Sequence, residues 1–400
     1  MPTDAQDRHA QRWLLVAWCT AFVVGTDLFI VAPLLPAIAR DMRVPPTSLT
    51  LLVSLFSLAY AVASPIAGRM ARRRGVSRQL RIGVLILGAA NLSTALAPNV
   101  LQLACSRFVA GLGAASITPM LYALAAERAA AQRRGRSLAV VSSGLVLALA
   151  GGAPLGLLLG GLWNWRLVFA GLGILLIASL PAHGRIWSHA HAPALPAPHA
   201  TATAERLRDA WPLLLGMALW ASTIYATYTL IGTALEAARG WPLGAIAATL
   251  ACFGLGATVG SLSGGRLADR LGAAAVIRAG FAAVAIALLG TAWAYTADSP
   301  WILSPALLGV ALLAYGIFPA LQTLAAEQFH TLRPVVLGLM SSALYLGITI
   351  GAAVGTAVDL HAGMIGVMTA SATMAAGGHL LARWIATRRP RYAGVPVTRR

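Results

Sequence analysis

Lysine is absent from this chain, and acid is scarce. Its 400 residues hold 30 basic side chains, all arginine, against 12 Asp and Glu, for a net charge of +18. Charged residues make up only 10% of the sequence, where soluble domains average about 25%. A chain this poor in charge and 58% hydrophobic cannot cover a water-soluble surface, so it is read as a polytopic membrane protein. The absence of lysine fits a bias in genomic base composition and carries no functional weight. Cysteine is scarce as well: Cys19, Cys105 and Cys252 all lie within apolar runs. An odd set expected to be buried argues against a disulfide framework, and no CxxC or clustered His/Cys pattern suggests a metal. No HExxH or nucleophile–base set and no Walker motif is visible, which leaves out intramembrane hydrolysis and ATP. The first apolar run, from Trp13 to Ile38, is too long for a secretory signal and lacks a small-residue cleavage site.

Twelve apolar runs are read as spans, each near the roughly 20 residues a bilayer needs. They cover 13–38, 48–70, 80–97, 100–126, 137–161, 167–182, 210–233, 243–264, 275–296, 301–326, 335–358 and 362–386. With the N-terminus in the cytoplasm, only Arg40, Arg43, Arg166 and Arg239 fall outside and Arg107 falls within a span. Every other arginine is then inside, so both termini are expected to be cytoplasmic. The arginines therefore act as topology determinants, and nucleic acid is not expected as a partner despite the basic charge. Trp13, Trp163, Trp165, Trp211, Trp241, Trp301 and Trp384 fall at span ends, as an interfacial belt would. The longest break, 183–209, is rich in Pro, Ala and His. It divides the chain into a six-helix half at 1–182, a cytoplasmic linker at 183–209, a second half at 210–386 and a cytoplasmic tail at 387–400. His183, His189, His191 and His199 form at most a weak metal tract, and a solvated linker with incidental histidines explains them better.

Two stripes of small residues stand out. Gly144, Ala148, Gly152, Gly156 and Gly160 recur every four residues around Pro154, and Ala343, Gly347, Gly351 and Gly355 repeat the pattern later. Small residues let membrane helices approach closely, and Pro154 implies a local bend. Ordinary helix packing explains either stripe alone; the two together suggest sliding faces of two bundles. The halves also repeat in sequence. Residues 68–75 match 265–272 at an offset of 197, Ile117, Pro119 and 124–127 match Ile317, Pro319 and 324–327 at 200, and Ser142-Ser143 with Gly152 and Gly156 match Ser341-Ser342 with Gly351 and Gly355 at 199. Duplicated bundles with a site between them are an architecture of secondary transporters.

These motifs, in this order, resemble the major facilitator superfamily over essentially the whole chain. Gly68-x-x-x-Arg72-x-x-Gly75 and Gly265-x-x-x-Asp269-Arg270-x-Gly272 are similar to that family's loops between helices 2–3 and 8–9. Leu103-x3-Arg107-x3-Gly111-x-Gly113 is similar to its helix-4 motif. Gly144-x7-Gly152-x-Pro154-x-Gly156, followed by Trp165-Arg166, is similar to the helix-5 motif of its exporting, proton-antiporting branch. The stretch 25–36, GTDLFIVAPLLP, is similar to the opening of bacterial twelve-helix drug and sugar exporters. The resemblance implies an all-α membrane protein of twelve transmembrane helices in two pseudo-symmetric six-helix bundles. It also implies gating and helix-packing roles for Gly144, Gly152, Pro154, Gly156, Gly160, Gly347, Gly351 and Gly355. A cytoplasmic charge relay that locks the outward-open state is implied for Gly68, Arg69, Arg73, Gly75 and Glu127, and for Gly265, Arg266, Asp269, Arg270, Gly272 and Glu327. One departure stands out: Arg72 occupies the place where the family's first-half loop carries an acid, so an Arg69 or Arg73 pair with Glu127 is expected to do part of that work.

Only Asp27 and Arg107 put charge deep within spans. Each costs about 2.5–3.5 kcal/mol at a helix centre, so neither is expected to face lipid. Asp27 sits about 16 Å from the outer end of its span and Arg107 about 10 Å from the outer end of its own, a gap of about 6 Å that an arginine can bridge. Burial disfavours charge on Asp27 and a nearby guanidinium favours it, so the two are expected to share an aqueous cavity and couple protonation to the state of the bundle. A static ion pair fixing helices 1 and 4 is the alternative. Candidate cavity walls are Phe22, Phe29, Phe56, Tyr60, Trp220, Tyr225, Tyr228, Tyr315 and Tyr345, with Asn91 as a polar member; plain helix packing explains each aromatic equally well. A greasy cavity with few polar anchors suits an amphipathic molecule better than a sugar.

The expectation is an inner-membrane exporter that exchanges protons for a hydrophobic or amphipathic small molecule by alternating access. It would use the proton gradient and no cofactor or metal, and it would act as a monomer in the lipid bilayer. A sugar or metabolite exporter is the alternative within the superfamily, and a non-transporting receptor or sensor the alternative outside it.

Overall fold

The computed structural model describes residues 4–129, 134–187, 207–329 and 332–387. Among these there are helices and no strands. Helix α1 spans Asp4–Met42, α2 Leu51–Arg74 and α3 Val76–Ala95. Helix α4 comes in two pieces, Val100–Ala114 and Thr118–Arg128. Helix α5 covers 134–164 and α6 is Trp165–Ile186. Then follow α7 at Trp211–Thr233, α8 at Leu243–Leu271, α9 at Ala273–Thr296 and α10 at Pro300–Gln328. Helices α11 and α12 are the two parts of Arg333–Thr387, divided at Gly363, where φ is 62° and ψ is −170°. Nine stretches among the described residues are long and apolar enough to cross a bilayer. Two of them, Ser137–Ile186 and Val335–Ile385, hold two helices each. Helix α3 is outside the nine because Arg78, Gln79 and Arg81 dilute its first turns. The sum fits the twelve-helix reading.

Local chemistry sets the joints. Asn99 and Asn164 accept hydrogen bonds from the backbone N–H groups of Gln102 and Arg166, capping α4 and α6. Gly75 and Gly272 close the α2–α3 and α8–α9 turns at φ of 86° and 85°, a region where a side chain is strained. Pro119 cannot donate to the carbonyl of Ala115, and α4 breaks there. Pro154 is preceded by a π turn over Ala148–Gly152, and a second π turn covers Gly160–Asn164. Steps of four residues overshoot the 3.6-residue turn by about 40° each. The looser π turns take back part of that drift, so the small-residue stripe stays on one side of α5.

The halves are built alike. Helix α5 lies on α1, α4 on α2 and α6 on α3; six helices later, α11 lies on α7, α10 on α8 and α12 on α9. The stripe of α5 faces α1 within the same half: a Cβ on Gly144 would meet the Trp18 carbonyl, on Gly152 Thr26, on Gly156 Ile30 and on Gly160 Leu34. Gly347, Gly351 and Gly355 face Ala218, Ser222 and Ala226 of α7 in the same way. This corrects the expectation of sliding faces between bundles: both stripes are seams inside a half. The halves meet elsewhere, through α2 with α11, α5 with α8, and α1 with α7.

The contacts that join the halves run from the centre to the arginine-poor face. Tyr60 stacks on Tyr345, with ring centroids 3.5 Å apart. Thr349 reaches the Ser54 carbonyl at 3.4 Å and Thr356 reaches the Thr50 hydroxyl at 2.9 Å. Arg40 pairs with Glu236 at 3.0 Å. Gly254 lies so close to Leu149 and Ala150 that a Cβ would land on their backbone. Toward the arginine-rich face, Trp18, Phe22, Tyr122 and Phe318 are only half-buried.

Three details differ from the sequence reading. Helix α6 extends to Ile186, so His183 is buried in a helix and not in a linker. Its Nδ1 accepts from Trp187 Nε1 at 3.1 Å, so its Nε2 carries the proton that reaches Thr20 Oγ1 at 3.1 Å; His189, His191 and His199 lie outside the described residues. Trp13, Trp165 and Trp241 point inward, whereas Trp163 and Trp301 are 75% and 89% exposed as a belt requires. Cys19 and Cys105 are exposed and Cys252 half-buried, all three as free thiols, because they face away from the helix seams.

Because Gly254 is where α8 meets the other half, Gly254→Val overpacks that joint. It is expected to cost about 1–3 kcal/mol and to lower the melting temperature of the purified protein, while Gly309→Ala, where a Cβ meets open space, leaves it unchanged. Equal melting of the two variants would show that the joint is looser than described.

Candidate functional site

Helices α1 and α4 carry Asp27 and Arg107 to one point. Arg107 grips the carboxylate with two prongs: Nη1 donates to Asp27 Oδ1 at 2.9 Å and Nη2 donates to Oδ2 at 3.1 Å. Nη1 also lies 3.4 Å from Asn91 Oδ1 on α3, and the Asn91 amide donates to the Leu87 carbonyl at 3.1 Å. The guanidinium carbon sits 4.9 Å from the Phe56 ring on α2 and 5.4 Å from the Phe169 ring on α6. Five helices of the first half thus converge on one guanidinium, and its Nε has no partner.

The side chains of Asp27 and Arg107 are 0% and 1% exposed. The shared aqueous cavity expected around them is therefore closed in this conformation, and this corrects the sequence reading. The physical reason is mutual attraction: a bidentate guanidinium–carboxylate contact satisfies both groups and lets rings seal over them. Phe56 and Asn91, expected as cavity walls, belong instead to the shell of this pair.

The other candidate wall residues form an aromatic belt across the joint between the halves. Phe29 lies 6.4 Å from Tyr225 and 6.3 Å from Tyr228, centroid to centroid, and the Tyr228 hydroxyl donates to the Phe29 carbonyl at 3.2 Å. Tyr225 and Tyr315 are hydrogen-bonded through their side chains. Trp220 donates to the Ala314 carbonyl at 2.6 Å and packs on Tyr315 at 5.4 Å. Tyr60 bonds to Thr118 and Tyr345, and Tyr345 is within electrostatic reach of Asp27. Phe22 stands apart, stacked on Trp18 at 5.4 Å near the arginine-rich side. Six of the eight tyrosines therefore gather here, counting Tyr122, which lies against Tyr60. The sequence reading missed Tyr122, Phe169, Phe253 and Phe318. Hydropathy cannot mark them, but the Pro119 and Pro319 repeat places Tyr122 and Phe318 within three residues of matching positions.

The charge relay expected at the arginine-rich face is not engaged. Among the described residues, Glu127, Asp269 and Glu327 form no ion pair with Arg69, Arg73, Arg266 or Arg270. Apart from the central Asp27 and a long Arg208–Asp209 contact of 3.8 Å, the engaged acids among the described residues lie at the opposite face. Asp41 accepts from Arg166 at 2.9 Å and from Trp165 Nε1 at 3.1 Å, and Asp298 accepts from Trp241 Nε1 at 2.9 Å. A helix-end tryptophan followed by arginine is a signal that could have pointed to the first of these.

Residues 17–352 and 240–400 match the family described as Major Facilitator Superfamily. The chain is 24% identical over 384 residues to YtbD of Bacillus subtilis, described as an uncharacterized MFS-type transporter, covering 93% of this chain and 94% of that protein. It is 28% identical over 380 residues to a chloramphenicol resistance protein of Streptomyces lividans, covering 92% and 94%. Among solved structures, a bacterial homolog of the human lysosomal transporter Spinster, inward-facing and unoccupied, superposes with a TM-score of 0.75 at 17% identity over 96% of this chain and 99% of that one. At that identity the likeness speaks for the fold alone.

Removing one partner of the buried pair strands the other. Asp27→Asn and Arg107→Gln are each expected to cost about 3–5 kcal/mol, and the double variant to cost less than the sum. A double-mutant cycle on unfolding in detergent that returns no coupling would show that the pair contributes nothing as a pair.

Proposed function

The chain belongs to the Major Facilitator Superfamily and is a transporter, not an enzyme, and we propose that it is a proton-coupled exporter of hydrophobic or amphipathic small molecules in a bacterial inner membrane. The observation that carries the coupling is the dry Asp27–Arg107 pair under the aromatic joint. The unprotonated pair is content without water. A proton on Asp27 leaves Arg107 charged and poorly matched among rings, and that mismatch is relieved only by water or a substrate entering. Stranding a buried charge costs about 3–5 kcal/mol, and 3 kcal/mol shifts a two-state equilibrium roughly 150-fold. Protonation therefore biases the joint toward an open form.

The arginine-rich face belongs in the cytoplasm by the positive-inside rule. In that orientation the halves are joined toward the outside, by Arg40–Glu236 and the belt beneath it, and are less tightly packed toward the inside, where Trp18, Phe22, Tyr122 and Phe318 are half-buried. The disengaged relay at the arginine-rich face accords with this state. An exporter loads substrate from that side. The belt offers ring faces and hydroxyls but no free charge, which suits drug-like molecules better than sugars. The relative named for chloramphenicol resistance supports the same direction and class.

The test is uptake into everted vesicles with and without a pH gradient, using fluorescent dyes, antibiotics and sugars. Gradient-driven accumulation of dyes or antibiotics is expected, and Asp27→Asn should reduce it at least about 100-fold while dye binding persists. Full gradient-driven transport by Asp27→Asn would remove the coupling role, and transport of sugars alone would replace the substrate class.

A further inference from the structure

We propose that the turn joining α2 to α3 is a docking surface for the headgroups of anionic phospholipids in the surrounding membrane. Arg69, Arg72, Arg73, Arg74, Arg78 and Arg81 are all exposed, and no acidic residue interrupts them. None forms an ion pair with a described residue. The matching turn of the second half holds Arg266, Arg270 and Arg278 with Asp269 among them. The excess charge is thus a property of the first half. The bias that orients a membrane chain is summed over its loops and does not demand six arginines at one turn.

The surface above the arginines points to a lipid and not to a soluble anion. On α2 the exposed side chains of Leu58, Val62 and Ile66 recur at helical spacing, and the same stripe continues into Arg69 and Arg73. On α3, exposed Leu85 stands four residues from Arg81 and seven from Arg78, again on one side. Each stripe begins in hydrocarbon and ends in guanidinium. Gly75, at φ 86°, makes the turn tight, so both stripes end at the same end of the α2–α3 pair. Arg81 reaches beside Gly184 of α6, where its Nη1 lies 3.9 Å from the position a Cβ would take. Guanidinium groups match phosphate with two parallel hydrogen bonds, and clusters of four to eight basic residues at a span end attract anionic lipid. One lipid can then lay its chains along the stripes and its phosphate among the arginines.

The test uses the full-length protein in neutral detergent, titrated with phosphatidylglycerol, phosphatidylcholine or inorganic phosphate while its melting temperature is followed. A rise is expected with phosphatidylglycerol only. In R69Q/R73Q/R78Q/R81Q the lipid concentration required should increase at least about tenfold. In R266Q/R270Q/R278Q it should stay unchanged, and the charge-preserving R69K/R73K/R78K/R81K variant should keep most of the response. Should the glutamine variant fail to fold, R69Q and R81Q singly should each weaken the response a few-fold. Equal protection by phosphatidylcholine, or an unaltered response in the glutamine variants, overturns the proposal. Protection by inorganic phosphate equal to that by lipid makes it a soluble-anion site and overturns it as well.

Discussion

A single carboxylate gripped by a single guanidinium, with no water between them, is what the first half is arranged around. Asp27 and Arg107 draw α1 and α4 together, Asn91 brings in α3, and Phe56 and Phe169 close the site from α2 and α6. A bilayer interior makes either charge alone costly. Their mutual satisfaction therefore stabilises the assembled half, apart from anything it does in transport. Among the described residues the second half contains no counterpart to this pair. Its helices are held by close backbone approach, as where Gly256, Gly260 and Gly264 lie on the α10 carbonyls of Leu308, Leu312 and Gly316. The lobes are built on one plan of close glycine seams, and the first adds a buried ion pair to it.

That difference bears on which parts can move. Inside each half the seams set glycine against backbone, as at Gly111 on the Phe56 carbonyl, or against tightly packed side chains, as at Gly156 on Ile30. Between the halves Gly254 makes a close joint with Leu149 and Ala150, and the remaining contacts are aromatic rings, threonine hydroxyls and an exposed ion pair, Arg40–Glu236, with the arginine side chain 70% exposed. Exposed pairs contribute about 0–1 kcal/mol, and stacked rings add about 0.5–1.5 kcal/mol beyond their burial. The joint is weak relative to the lobes, which is the property a rocking mechanism needs.

The spans were legible because hydropathy and arginine bias act at the scale of whole helices. Asp27 and Arg107 were legible for the opposite reason: charge is so rare here that two buried ions stand out. What stayed hidden depends on side-chain direction. Trp13, Trp165 and Trp241 sit at helix ends, yet turn inward because Trp187, Asp41 and Asp298 wait there. His183 looked like linker because histidine is polar, and only the tertiary partners Thr20 and Trp187 make it interior. The small-residue stripes were seen but placed against the wrong neighbour, since periodicity marks a face without saying what lies on it. Among the described residues the relay acids form no ion pairs with the relay arginines, because an arrangement that joins at one face leaves the other face's charges apart.

Helix α5 carries one more lesson, about length and phase. A π turn amounts to one extra residue absorbed by a helix, and α5 has absorbed two, at Ala148–Gly152 and Gly160–Asn164. Loss of a single residue from the first would return that stretch to α geometry and leave everything beyond it in nearly the same phase. Loss of a residue from an α-helical turn of α5 would instead swing everything beyond it by about 100° and turn the leucines beside Gly156 and Gly160 toward Ile30 and Leu34. In this chain the residue count of α5 is fixed in its α-helical turns and tolerant at its two π turns.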